Sequence, residues 1–313
     1  MTTARAFWVF APGMGDIRTE PLPEPAADET RVRCLASGVS RGTEALVFAG
    51  RVPVSQYAAM RAPLMGGEFP FPVKYGYCAV GIVPDGGRVF VLHPHQDVFN
   101  APISMCVPVP DAVPDRRAVL AANMETAVNI VWDAAPLAGE RIMVIGAGVV
   151  GLLTASLLAR IPGAVVTVVD TDSSRASLAG RFAVPEDAPG DQELIVHASA
   201  SEAGLRLALD RAAFEGRIVE ASWYGDRAPS VPLGEAFHAR RLRLIASQVG
   251  AVAPAMRGRR TYGQRLALAL DLLADPAYDA LLEGPTPFES LPDAMPGILA
   301  PGGLCHVVTY GDK

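Results

Sequence analysis

"MVIGAGVVG", Met143 to Gly151, decides how the rest of this 313-residue chain is read. An apolar run leads into Gly146, Gly148 and Gly151, and the next residues, "LLTASLLAR", continue as a helix. In a strand–turn–helix each glycine has its own reason: the first permits the tight turn, the second lets backbone approach a pyrophosphate, and the third lets the helix pack on the strand. The unsatisfied N–H groups of the first helical turn, around Val149 and Val150, would then face the phosphates with the positive end of the helix dipole behind them. The next apolar stretch, "VVTVVDTDSSR", ends in Asp170. A carboxylate there accepts from ribose hydroxyls and repels a 2′-phosphate, so NAD(H) is expected ahead of NADP(H), with Arg175 as the residue that would temper the preference.

Working outward, Arg141 to Ile145, Val165 to Val169, "ELIVHAS", "GRIVEASW" and "RLRLIAS" read as strands. Helical stretches between them make the pattern of a doubly wound parallel sheet. "DRRAVLAANMETAVNIVWDA" places Leu120, Met124, Val128 and Val131 at helical spacing and reads as one helix leading into this domain. "GQRLALALDLLADP" reads as a closing helix stopped at Pro276, and "GGLCHVVTY" as a last strand. Before about Pro110 the texture differs: short apolar runs broken by glycine and proline, such as "RVRCLASGV" and "RVFVL", indicate a β-rich domain.

Half of the residues are hydrophobic, enough for two domain cores. A formal net charge of -6 offers no basic field for a phosphate backbone, so a small-molecule substrate is expected and nucleic acid is not. "MTTARAFWVF" is neither a secretory signal nor a span, so a cytoplasmic protein without membrane contact is expected. Cys34, Cys78, Cys106 and Cys305 are widely separated, with no C-x-x-C pair, and read as isolated thiols.

With "ASGVSRGTE", "YGYCAVGIV" and "GGRVFVL" added to the glycine turn, the chain resembles the medium-chain dehydrogenase/reductase superfamily, the zinc-type alcohol dehydrogenase-like proteins. The resemblance implies an α/β protein with a GroES-like β-rich catalytic domain made from both chain ends, here 1–121 with 279–313. A Rossmann NAD(P)-binding domain at 122–278 would lie between them, and a homodimer is implied through the edge strands of its sheet. In outline the chain is similar to the smaller bacteriochlorophyllide-dehydrogenase-like branch. Where zinc-dependent members carry a cysteine, this sequence has Ser40, or Arg41 in a shifted alignment; the histidine's place holds Tyr77, and only Glu125 matches the third ligand. One carboxylate does not make a zinc site, which takes three protein donors, so no zinc is expected. A rebuilt site from His93, His95, Cys78 and Glu125 is the rival arrangement.

Without a metal, the oxygen that gains charge as hydride arrives needs hydrogen-bond donors. Tyr77, Ser40, Thr43 and His95 are the candidates. Tyr77 would act as donor if a neighbour lowers its pKa, His95 would relay a proton to solvent, and Glu125 would orient one of them or bind a substrate hydroxyl. Ser247 and Gln248 at one strand end are expected near the nicotinamide, and Trp223 and Tyr224 at another are expected to line the cleft. Arg257, Arg259, Arg260 and Arg265 read as a solvated rim. The activity expected is zinc-free hydride transfer between nicotinamide and an alcohol or ketone. The alternatives are a quinone or enoyl reductase and a non-catalytic NAD(H)-binding protein.

Overall fold

The last four residues of the strand Arg141–Ile145 are all buried, as a strand covered on both faces requires. In the computed structural model, which describes residues 2–311, this strand belongs to a six-stranded sheet. The order across it is Phe182–Ala183, Val165–Val169, Arg141–Ile145, Gln192–His197, Ala212–Glu220 and Arg243–Ala246, every neighbour parallel. The chain first moves outward on one side of Arg141–Ile145 and then resumes on the other with Gln192–His197. The carboxyl ends of these two strands therefore flank the switch point where open α/β sheets bind ligands. Met143, Val169, Ile195, Leu209 and Ile218 fill one core face.

The sequence did not reveal Phe182–Ala183, because two residues carry no periodicity. The helix expected from Asp115 onward is two helices, Asp115–Ala118 and Ala121–Ala134. Ala118, Val119, Leu120 and Ala121 are all fully buried, so packing on every side erases the one-faced pattern from which a single helix was read.

The chain forms two compact units. Asn123–Arg265 carries the parallel sheet, and the other unit combines the chain up to Ala122 with the chain from Leu266 onward. In this second unit the long strand Glu29–Val39 pairs antiparallel with Ala79–Ile82 on one side and, on the other, with Val98–Pro102 and the returning strand Cys305–Thr309 in succession. The C-terminal strand thus joins the β-rich sheet. Gly81 is obligatory there, since a Cβ would lie 2.6 Å from the Arg33 carbonyl oxygen. A four-stranded sheet built on Thr3–Ala11 lies in the same unit. Among the described residues no helix is long and apolar enough to cross a membrane.

Candidate active site

The glycine turn has the geometry its spacing implies. Gly146 adopts φ +110°, a conformation side chains rarely take. Gly151 is closer still to its surroundings, for a Cβ there would lie 1.9 Å from the Gly146 carbonyl oxygen. Around Gly148, by contrast, a Cβ would meet nothing within 4 Å. Gly148 is exposed and caps the helix Val149–Leu158, whose first residues Val149 and Val150 are half-buried. The turn is therefore tight on its protein side and open on the side where helical N–H groups await an acceptor.

Asp170 ties this turn to the neighbouring strand end. Its Oδ2 accepts from the Ala147 N–H at 2.6 Å and its Oδ1 from the Asp172 N–H at 2.9 Å. Arg175 lies beside Asp172, 3.4 Å from its carboxylate. The guanidinium is thus already matched to an acid.

In the β-rich unit, Tyr77 and Ser40 are brought together: the half-buried phenol donates to Ser40 Oγ at 2.6 Å, and Thr43 also bonds it. Burial pushes the Tyr77 pKa far up, Cys78 and Tyr75 add to the effect, and the bonds to Ser40 and Thr43 only oppose it. The lowered phenol pKa entertained from the sequence is corrected here; Tyr77 is a neutral donor. Ser40 precedes the helix Arg41–Phe48, and its N–H donates to Glu44 Oε1 at 2.7 Å.

Glu44 escaped the sequence reading, where it passed for an ordinary acid near a helix start. It is buried, and its Oε2 lies 2.9 Å from His95 Nε2. His95 Nδ1 lies 2.7 Å from Ser37 Oγ, which in turn is 2.9 Å from Tyr310 Oη. His95 is only 1% exposed with both nitrogens engaged, so it holds Glu44 and, through it, Ser40. Tyr310 at the far end lines a cavity of about 420 Å³ together with Arg5, Arg31, Cys34 and Asp97. A chain of buried polar groups of this kind is costly unless every member is paired. Here each one is.

The rival metal set does not converge. His93 stacks on Phe99 with ring centroids 3.6 Å apart, and its Nδ1–H donates to the Pro94 carbonyl at 2.9 Å. Burial lowers its pKa to about 3, so it stays neutral. The Cys78 thiol is pushed well above its ordinary pKa, by burial first and then by Cys305 and Glu44. Among the described residues no group of three or more His, Cys, Asp or Glu could hold a metal ion. The positions that match ligand places in zinc-dependent members do not fit the ion either: Ser40 and Tyr77 hold each other, and Glu125 already has a cation.

That cation is Arg265, which is 2% exposed and belongs to the same unit as Glu125. Its Nε donates to Glu125 Oε1 at 3.0 Å, Nη1 to Asn129 Oδ1 at 2.6 Å and to the Ala251 carbonyl at 3.3 Å, and Nη2 to the Val249 carbonyl at 2.6 Å. Arg257, Arg259 and Arg260 are exposed as expected, whereas assigning Arg265 to a solvated rim is corrected. Glu125, Asn129 and Asp133 lie four residues apart on one face of Ala121–Ala134, and together with Arg265 they hold the segment after the strand Arg243–Ala246. Asp133 accepts from Ser247 Oγ at 2.6 Å, and Asn129 Oδ1 accepts from the Ala253 N–H at 3.1 Å. Ser247 therefore has its hydroxyl turned to the helix, and Gln248 meets Asn129 through its backbone carbonyl. Tyr224 bonds to Glu220 at 3.2 Å, and Trp223 beside it is half-buried.

The parallel sheet with its glycine turn and the β-rich unit made from both chain ends give the chain a fold similar to that of alcohol dehydrogenase-like proteins. Comparison with known proteins agrees. The chain is 27% identical over 235 residues to a zinc-type alcohol dehydrogenase-like protein of Haemophilus influenzae that is itself uncharacterized; the match covers 67% of this chain and 65% of that protein, just under two thirds of its length. The short chain alcohol dehydrogenase of Escherichia coli CFT073, complexed with NADH, superposes with a TM-score of 0.79 at 17% identity, covering 99% of this chain and 100% of that one. Staphylococcus aureus TarJ, in complex with NADPH, does so at 0.77 and 14%, again over 99% and 100%. No protein-family model matches the sequence.

Proposed function

We propose that this protein is an NAD(H)-dependent oxidoreductase that transfers hydride between the nicotinamide and an alcohol or ketone without a catalytic zinc. The observation that carries the reading is the glycine turn locked to Asp170, open at Gly148 and crowded everywhere else. The structural neighbours carry either NADH or NADPH, so cofactor choice rests on this chain's own residues. Asp170 and Asp172 favour free ribose hydroxyls over a phosphate.

A bound NADH supplies the hydride. Tyr77 and Ser40 supply what the substrate oxygen then needs. Turning the two hydroxyl hydrogens lets Ser40 donate to Tyr77 while the phenol donates outward to the oxygen that gains charge. Because burial keeps the phenol protonated, that donor is present throughout the neutral range. Glu44 and His95 act through Ser40 by fixing the backbone that carries it. The buried Arg265–Glu125 pair keeps the 247–253 segment in place, where the nicotinamide is expected to lie.

Fluorescence titration tests the cofactor assignment. NADH is expected to bind at least about tenfold more tightly than NADPH, a difference of roughly 1.4 kcal/mol. A tighter complex with NADPH would reverse the assignment to Asp170. Absence of binding by either would remove the oxidoreductase reading.

A further inference from the structure

One buried titratable group in the nucleotide unit has no part in this chemistry. His197 ends the strand Gln192–His197 at the switch point and is fully buried. Its Nδ1 lies 2.7 Å from Glu220 Oε2, and its Nε2 lies 2.7 Å from Ser199 Oγ, which is itself 2.9 Å from Ser201 Oγ. Glu220 ends the adjacent strand and also accepts from the Ser222 N–H at 2.8 Å and from Tyr224 Oη at 3.2 Å. A fully buried imidazole paired with a half-buried acid is an expensive way to end two strands, and apolar residues would serve the core as well. The pair calls for another explanation.

That explanation lies in the backbone just past His197. A Cβ on Gly146 would lie 2.8 Å from the Ser199 nitrogen and 2.9 Å from the Ala198 carbonyl carbon, so the 198–199 backbone rests directly on the first glycine of the cofactor turn. The opposite side of the cluster has been cleared for it. A Cβ on Gly204 would come within 2.5 Å of Ser199 Oγ and 2.7 Å of His197 Nε2. Ser199 is thus held by its side chain to His197 while its backbone presses on Gly146, and Glu220 fixes the imidazole from behind.

We propose that the His197–Glu220 pair is the positioning element of the dinucleotide turn. By pinning Ser199 it keeps Gly146 in the conformation from which the helix N–H groups meet the pyrophosphate. This inference rests on the NAD(H)-binding function proposed for the chain and assigns His197 no contact with the reacting atoms. It predicts a selective loss: recognition of phosphate weakens while recognition of the nucleoside, which depends on Asp170, does not.

The test measures the affinity of NADH, ADP and adenosine for the wild-type chain and for His197→Ala, His197→Gln and Ser199→Ala. Displacing the turn is expected to weaken NADH and ADP about tenfold in His197→Ala, in keeping with the cost of small misplacements in binding sites. Adenosine, which carries the ribose hydroxyls but no phosphate, is expected to bind equally well, and His197→Gln, which keeps a donor toward Ser199, to recover most of the loss. Unchanged NADH and ADP affinities in the variants would overturn the proposal, and so would a parallel loss of adenosine. If His197→Ala does not fold, Ser199→Ala at a half-buried position is judged by the same two outcomes. A wild-type chain that binds neither NADH nor ADP would sink the cofactor reading itself and this proposal with it; binding that the variants leave intact sinks the positioning role alone.

Discussion

Replacing Arg265 by methionine lowers stability toward urea by about 3–5 kcal/mol, the cost of breaking a buried ion pair from one side. Methionine fills the volume but takes the guanidinium donors from the Glu125 carboxylate and from the carbonyls of Val249 and Ala251, and leaves the Asn129 amide oxygen with only the Ala253 N–H. Burial already raises the Glu125 pKa even with the guanidinium beside it, so without Arg265 the carboxyl is driven further toward its protonated form. Adding Glu125→Gln to the variant removes the stranded charge and is expected to recover a substantial part of the loss. The double variant therefore separates the ion pair from simple packing. A loss below about 1 kcal/mol, the range of an exposed pair, would show that Arg265 is not an enclosed brace.

Tyr77→Phe gives the second large effect, and it falls on turnover. The ring keeps its packing against Tyr75, with which it makes an edge contact at 6.1 Å, while the hydroxyl that the proposed mechanism turns toward the substrate oxygen disappears. Loss of a single such donor costs about 10²- to 10³-fold in turnover. Affinity for NADH is expected to stay within about twofold, because the interaction is made with charge that develops only as hydride moves. Ser40→Ala should move in the same direction with a smaller loss, since it removes the partner that orients the phenol. Turnover equal to wild type in Tyr77→Phe would take the phenol out of the mechanism.

How much of the fold and site was visible in the sequence depends on how local each requirement is. The glycine turn was readable because part of its demands is made within nine residues: Gly146 takes φ +110° and Gly151 meets the Gly146 carbonyl, although the 198–199 backbone that also crowds Gly146 is distant in sequence. Asp170 came from the same logic one strand later. The returning strand Cys305–Thr309 could be recognised from its apolar run and its preceding glycines. Glu44 could not, for its partner His95 is 51 residues away and only the folded sheet brings them together. A weak signal existed, the four-residue step from Ser40 to Glu44 at a helix start, but that spacing is common on helix surfaces. Arg265 was hidden by company: it closes a run of exposed arginines, and nothing local marks it as the buried one. The phenol pKa was out of reach for a related reason, because desolvation belongs to the packed state. His197 was not singled out from the sequence either, although a histidine ending the run "ELIV" must find polar partners once buried.

Hydride transfer measured on chelator-treated protein, with the metal content of each sample determined alongside, tests most directly whether hydroxyl donors do here what an ion does in zinc-dependent dehydrogenases. With an alcohol or ketone found by screening at the nicotinamide absorbance, turnover is predicted to be the same before and after metal is stripped. Adding zinc back should not raise it. Activity that disappears with the metal and returns with stoichiometric zinc would contradict the account.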